Sequence, residues 1–257
     1  MTVDLRSKRA AFRSLHGEGC FVLPNPWDLG SLRRLEKLGF VAVASTSSGL
    51  AWAFGREDGE VSRDDVLGHL RVLCESTDLP VNADFEAGFA DRPAEVAANV
   101  RLAVETGVAG LSIEDRTGQE LYELPLAVER IEASREAIDE TGADVILVGR
   151  SEGFLMGQTE IDATIERLTA YADAGADCLY APCIQDPAHI EAVVVAVAPK
   201  PVNVLLFGPD MRVEDVAALG VRRVSVGGCL ARAAWAGFDE AARLLRDQGA
   251  LPAQSFR

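Results

Sequence analysis

Two pairs of carboxylates stand at the ends of short apolar runs, and they are the residues of this chain best placed to do chemistry. The first pair, Asp84 and Glu86, lies in Pro80-Val81-Asn82-Ala83-Asp84-Phe85-Glu86-Ala87-Gly88-Phe89. Residues two apart in an extended backbone project from the same side, so these acids repel each other unless a cation sits between them. The second pair, Glu114-Asp115, follows Val108-Ala109-Gly110-Leu111-Ser112-Ile113. Parallel pairing of the two runs would bring their carboxylates to one edge of a sheet. A single acid at a strand end more often caps a helix or opens a polar loop; its repetition is what favours a cation site. Mg2+ suits such a set because it prefers oxygen ligands and keeps several waters, so few carboxylates need touch it.

A scaffold must hold these runs side by side, and the chain supplies one. Its 257 residues, 48% of them hydrophobic, can bury a full core as a single domain spanning 1–257. Eight β-rich runs recur, at 20–24, 40–44, 81–84, 110–113, 145–149, 178–181, 202–206 and 223–226. Helical stretches lie between them, for example at 31–38, 64–74, 94–106, 126–141, 161–174 and 214–219. Several end in a glycine that leads into the next apolar run, as in Leu38-Gly39-Phe40 and Thr106-Gly107-Val108, where the left-handed conformation stops a helix. Eight such units without hairpin signals predict an α/β fold of the (β/α)8 TIM-type barrel; a doubly wound sheet has the same units and differs in closure.

In a barrel the carboxyl ends of the strands face the site. Collected there are Ser45-Thr46-Ser47-Ser48-Gly49-Leu50, Asp84 with Glu86, Glu114 with Asp115, Arg150-Ser151-Glu152, and Asn203. Carboxylates, one arginine and a donor-rich turn suit Mg2+ and a small, anionic, oxygen-rich substrate, which Arg150 could grip in a bidentate fork. The alternative for Arg150 is an ion pair with these same acids. His16, His69 and His189 all fall in expected helices, which argues against imidazole-bound zinc and against a Ser-His triad. The five cysteines show no CxxC spacing and read as reduced thiols of a cytoplasmic protein. A net charge of -15 argues against nucleic acid or an anionic membrane as partner, and no signal peptide or membrane span is expected.

Asp84-x-Glu86-x-Gly88-Phe89, Ile113-Glu114-Asp115, Gly149-Arg150-x-Glu152-Gly153-Phe154, Ser48-Gly49-Leu50 and Gly55-Arg56-Glu57-Asp58 together resemble the isocitrate lyase/phosphoenolpyruvate mutase superfamily, in order over essentially the whole chain. The resemblance implies a barrel whose last helix is swapped with a neighbouring subunit, in a homodimer or homotetramer. It implies Mg2+, with Mn2+ as the alternative, and a small 2-oxo or 2-hydroxy carboxylic acid that reacts through an enolate. Asp84 resembles the direct metal ligand, with Asp58, Glu86 and Glu114 acting mostly through water. Ser48, Gly49 and Leu50 resemble the turn whose amides bind the substrate's anionic end, and Arg150 resembles the residue that stabilises a carboxylate or developing oxyanion.

Two departures shape the expected reaction. Where lyases of the superfamily carry a Lys-Lys-Cys-Gly-His-like gating loop, this chain has Arg116-Thr117-Gly118-Gln119-Glu120-Leu121-Tyr122. Ala181-Pro182 stands near the position where phosphonate-rearranging members have a histidine. The expectation is therefore decarboxylation of an oxaloacetate-like acid or retro-aldol cleavage to a pyruvate-like product, with Tyr122 or Glu86 to move a proton. The alternatives are a phosphonopyruvate hydrolase or mutase, and a 2-oxo-acid binding protein that keeps the metal site without turnover.

Overall fold

The computed structural model describes residues 4–256. Ten strands follow in chain order: β1 (Phe21–Leu23), β2 (Val43–Ala44), β3 (Val81–Asp84), β4 (Gly110–Glu114), β5 (Arg116–Thr117), β6 (Glu120–Leu121), β7 (Ile146–Arg150), β8 (Cys178–Tyr180), β9 (Val202–Leu205) and β10 (Arg223–Ser225). The helices are α1 (Leu5–Leu15), α2 (Leu29–Lys37), α3 (Ser47–Ala53), α4 (Arg63–Ser76), α5 (Pro93–Glu105), α6 (Leu124–Glu140), α7 (Ile161–Asp173), α8 (Pro187–Ala196), α9 (Val213–Ala218) and α10 (Cys229–Gln248). Eight strands form one parallel sheet in the order β1-β10-β9-β8-β7-β4-β3-β2, which curls until its two edges nearly meet. This is the expected TIM-type barrel.

The seam between β1 and β2 is closed by few bonds, because Pro24 and Pro26 remove two backbone donors. Ala44 N–H donates to Pro24 O at 3.0 Å. The side chain of Asn25 supplies the rest: its Nδ2 donates to Ser45 O at 2.8 Å and its Oδ1 accepts from Val226 N at 3.0 Å. At the opposite, amino-terminal end, Phe12 and His16 plug the barrel against Phe21. Burial and the neighbouring Arg223 hold the His16 pKa down, to about 3, so its ring is neutral.

Three local expectations need correction. The second strand is shorter than 40–44, because Gly39 turns left-handed and Phe40 N–H reaches back to Leu35 O, making Phe40 part of the end of α2. The donor-rich stretch after it is no turn: Thr46 caps a helix, α3, that begins at Ser47. A hairpin, absent from the expected pattern, forms from β5 and β6, with Gly118 providing the positive φ of its tight turn. α10 is unlike the other helices. Only Ala231 is buried among its 20 residues, and Trp235, Phe238 and Leu245 lie exposed. No helix among the described residues is long and apolar enough to cross a membrane.

Candidate active site

Parallel register brings the candidate residues to the carboxyl edge of β2, β3, β4 and β7. Asp84 ends β3 beside Ser112, and Glu114 ends β4 directly beside Arg150 of β7. Asp84 is fixed from two sides: its Oδ2 accepts from Ser47 N at 2.9 Å, the first amide of α3, and its Oδ1 lies 3.2 Å from Arg150 Nη1. Its own N–H donates to Ser45 Oγ at 2.8 Å. The helix start explains which neighbouring amides stay available. Gly49 N–H is capped by Thr46 Oγ1 and Leu50 N–H bonds to Thr46 O, whereas Ser48 lines the cavity. A Cβ on Gly49 would meet Thr46 Cγ2 at 2.6 Å, so only glycine lets α3 sit this close to its cap.

Glu86 opens a bent segment in which it and Phe89 have positive φ (47° and 56°) as well as Gly88. Non-glycine residues hold such a conformation only when the surroundings impose it. Here the guanidinium of Arg130, fully buried in α6, donates from Nη1 to Ala90 O (2.6 Å) and Asp91 O (2.7 Å) and from Nη2 to Ala87 O. The same guanidinium lies 4.1 Å over the Tyr122 ring, and Tyr122 Oη donates to Asp91 Oδ1 at 2.5 Å. Tyr122 thus ties the exit of the hairpin to the Glu86 segment, and its hydroxyl is engaged there. We expect Arg130→Met to destabilise the fold by about 3 kcal/mol, from three orphaned carbonyls, and to weaken the affinity for an added divalent cation about tenfold by freeing Glu86. Metal titrations of the variant with an unchanged midpoint would refute the positioning role.

Electrostatically the site is short of cations. Arg150 lies 2.9 Å from Glu114 Oε1 and also pairs with Glu152, its plane near the Tyr180 ring. Arg116, from the hairpin, lies 3.1 Å from Glu114 Oε2 and 3.7 Å from Glu152 Oε2. Asp58 and Glu86 complete the set, so two guanidiniums face five carboxylates. Burial raises Asp58 and, with the charges of Asp84 and Asp58, pushes Glu86 up to about 7; burial likewise raises Glu114 and Glu152 against the pull of Arg150. Glu152 Oε2 is buried without a hydrogen-bond partner. Asp115 takes no part: it accepts from Glu152 N, Tyr171 Oη and Arg167 and serves the scaffold.

Oxygen donors in excess of positive charge fit a hard divalent cation. Among the described residues no three acidic, histidine or cysteine side chains converge as direct ligands, so such an ion would be held by one or two carboxylates with water completing its shell. The crowding has a pH signature. Between the ordinary carboxyl range and about 7 the folded protein binds more protons at Glu86 than the unfolded chain does, so metal-free stability falls as pH rises through that window. The loss is on the order of 3 kcal/mol for Glu86. Urea unfolding in chelator at about pH 4.5 and pH 8 should show it, and Glu86→Gln should reduce the slope while Asp58, Glu114 and Glu152 keep their own shares; an equal slope in that variant would refute the assignment.

Two adjoining cavities share Asp58. One, of about 160 Å³, runs down the barrel axis past Ser45, Ser48, Asp84 and Arg150 to Asn82, Arg223 and Ser225. The other, of about 300 Å³, lies under the hairpin between Glu86, Glu114, Arg116 and Gln119. Asp58, Asp84, Glu86, Glu114, Arg150 and Ser48 are therefore brought together, while Gly49, Leu50 and Asn203 line neither. Asn203 stands behind the axial cavity, donating to Ser225 Oγ (3.0 Å) and accepting from Arg223 Nε (2.9 Å). Sequence reasoning missed Arg116 and Arg223. The signal for Arg223 was present: a charged residue at the head of an apolar strand is buried, and a buried charge requires partners.

Comparison with known proteins agrees with this geometry. Residues 12–246 match the family model described as phosphoenolpyruvate phosphomutase. An uncharacterized protein of Mycobacterium tuberculosis (strain H37Rv) is 32% identical over 94% of this chain and 91% of its own length. A solved structure from Burkholderia cenocepacia J2315, provisionally designated a lyase/mutase, superposes with a TM-score of 0.92 at 45% identity over 98% of this chain and 94% of its own. The oxaloacetate decarboxylase of Rhodopseudomonas palustris (strain BisB18) is 28% identical over 86% of this chain and 78% of that enzyme. The chain therefore belongs to the phosphoenolpyruvate phosphomutase family, among enzymes that act as carbon-carbon lyases and mutases.

Proposed function

We propose that the protein is a Mg2+-dependent lyase that breaks a carbon-carbon bond beside the carbonyl or hydroxyl of a small 2-oxo or 2-hydroxy acid. The observation that carries this reading is the division of the site: a carboxylate-rich side at Asp58, Asp84, Glu86 and Glu114 faces a donor-rich side at Ser45, Ser48 and Arg150. Asp84 would hold the ion directly, with Asp58, Glu86 and Glu114 acting through water; Mn2+ could replace Mg2+ in such a set. Bound there, the ion supplies Lewis-acid polarisation of the substrate oxygen.

The chain's own groups then divide the remaining work. Ser48, in the first turn of α3 and lining the cavity, orients the carboxylate next to the reacting carbon. Arg150 is held in place by Glu114, Glu152 and Tyr180, so its donors are preorganised for the negative charge that grows on the enolate oxygen as the bond breaks. In a decarboxylation the bonding pair passes to that oxygen, carbon dioxide leaves, and protonation at carbon yields the 2-oxo acid product. Glu86 is the group we assign to that protonation, since it lines the cavity under the hairpin while Tyr122 is engaged with Asp91. The hairpin has neither cysteine nor histidine, which favours oxaloacetate-like decarboxylation or retro-aldol cleavage over reactions that need a thiol at the gate.

The uncovered apolar face of α10 supports a homo-oligomer in which a partner subunit covers that helix. The reading is tested by product analysis. Pyruvate formation from oxaloacetate, substituted malates and methylisocitrate should require Mg2+ and stop with chelator. Phosphate release from phosphonopyruvate instead would favour a hydrolase, and metal-dependent binding without product would favour a 2-oxo-acid binding protein.

A further inference from the structure

Arg223 is fully buried at the floor of the axial cavity, one layer below Ser225 on β10, and none of its hydrogen-bond partners is a carboxylate. Its Nε donates to Asn203 Oδ1 at 2.9 Å. Its Nη1 faces Asn82 Oδ1 at 3.3 Å and His16 Nε2 at 3.4 Å. His16 Nδ1 lies 2.8 Å from Phe12 O and donates to it in the neutral ring, which leaves Nε2 as an acceptor. Three neutral groups thus engage Nε and Nη1, while Nη2 has no hydrogen-bond partner among the described residues and Arg223 lines the cavity floor.

The contrast with the other buried arginines is informative. Arg9 and Arg130 donate to backbone carbonyls that need partners in any case, and Arg150 is surrounded by acids. None of that explains a cation kept in the barrel interior among two amides, an imidazole, the Cys178 thiol and the Tyr180 phenol, with no carboxylate, where desolvation disfavours the charge. A guanidinium so held and so oriented lacks its anion.

We propose that Arg223 binds the second carboxylate of the substrate, so that the enzyme selects a short dicarboxylic acid over a monocarboxylic one. This rests on the lyase reading above and deepens it. The first carboxylate and the reacting oxygen lie at the mouth, against Ser48, Arg150 and the acidic side; the second reaches down the axis to Arg223. A cavity of about 160 Å³ has room for an acid of this size. The one cationic nitrogen left without a partner, Nη2, suits a singly charged carboxylate better than a doubly charged phosphonate, which would need more donors than remain.

Binding, not turnover, is the test. In Mg2+, calorimetry compares malate with 2-hydroxybutyrate and oxaloacetate with 2-oxobutyrate, pairs that differ in the distal carboxylate. The wild-type protein should prefer each diacid by roughly 100-fold, and Arg223→Gln should reduce that preference below about threefold while leaving the monoacid affinities in place. Arg223→Lys, which keeps the charge, should retain an intermediate preference. A purely structural role lowers both affinities and leaves their ratio, which overturns the proposal. Equal wild-type affinity for diacid and monoacid overturns it whether or not any variant folds, while leaving the lyase reading intact. Failure of all four ligands to bind overturns both. Phosphonopyruvate binding more tightly than either diacid overturns the assignment to a carboxylate.

Discussion

Asp84→Ala should lower kcat/KM for the proposed Mg2+-dependent reaction by at least about a thousandfold without unfolding the protein. Both halves follow from the same geometry. Asp84 is the acid that joins the two sides of the site, touching the first amide of α3 and Arg150 at once. It is also the charge that, after burial, raises its neighbours Asp58 and Glu86. Removing it relieves that repulsion, and Arg150 keeps Glu114 and Glu152 as partners. The metal-free variant should therefore unfold within about 1 kcal/mol of the wild type, or above it, because active sites hold groups that stability alone would not select. Mg2+ should raise the Tm of the wild type and leave that of the variant unchanged. Retained activity would remove Asp84 from the site, and a collapsed fold would show that its hydrogen bond to Ser47 outweighs the repulsion.

The barrel was legible because its signal is repeated eight times and each repeat depends on local chemistry. β3, β4, β7, β9 and β10 fall on the expected runs to within a residue or two, and the glycines at 39, 107 and 142 end helices with positive φ as expected. What the sequence hid was local competition. Ser45 to Leu50 reads equally as a loop or a helix start, and only the bond from Gly49 N to Thr46 Oγ1 decides between them. The hairpin escaped notice because its strands have two residues each, too few for periodicity.

The acidic half was legible at Asp84 and Glu114, which end strands of the barrel, and at Glu86 just beyond, whereas Asp58 lies in the loop after α3 and entered only through the family resemblance. The cationic half was not. Arg116 sits on the hairpin, and Arg223 lies inside a strand, so each reaches the site only through tertiary placement. Asn203 illustrates the converse. It was expected to touch substrate, yet its amide is taken up by Ser225 and Arg223, so its influence on the cavity runs through the guanidinium it orients.

Arg150 carries the other large effect, and two substitutions separate its electrostatic from its geometric contribution. Arg150→Lys keeps one positive charge but loses the fork that spans Asp84, Glu114 and Glu152, so kcat should fall by about a hundredfold or more. Arg150→Ala leaves Glu114 and Glu152, both almost wholly buried, with Arg116 as their remaining cation. Breaking a buried ion pair in this way is destabilising by about 3–5 kcal/mol when the acids are ionised. Since burial already raises both carboxyls, the alanine variant should recover stability as pH falls, because neutral acids no longer need the missing guanidinium. Melting curves should thus show a deficit against wild type at pH 8 that shrinks by pH 6, while activity stays low at both. A deficit independent of pH would mean that Arg150 acts by packing against Tyr180 instead, and full activity in the lysine variant would show that any cation suffices where the developing oxyanion forms.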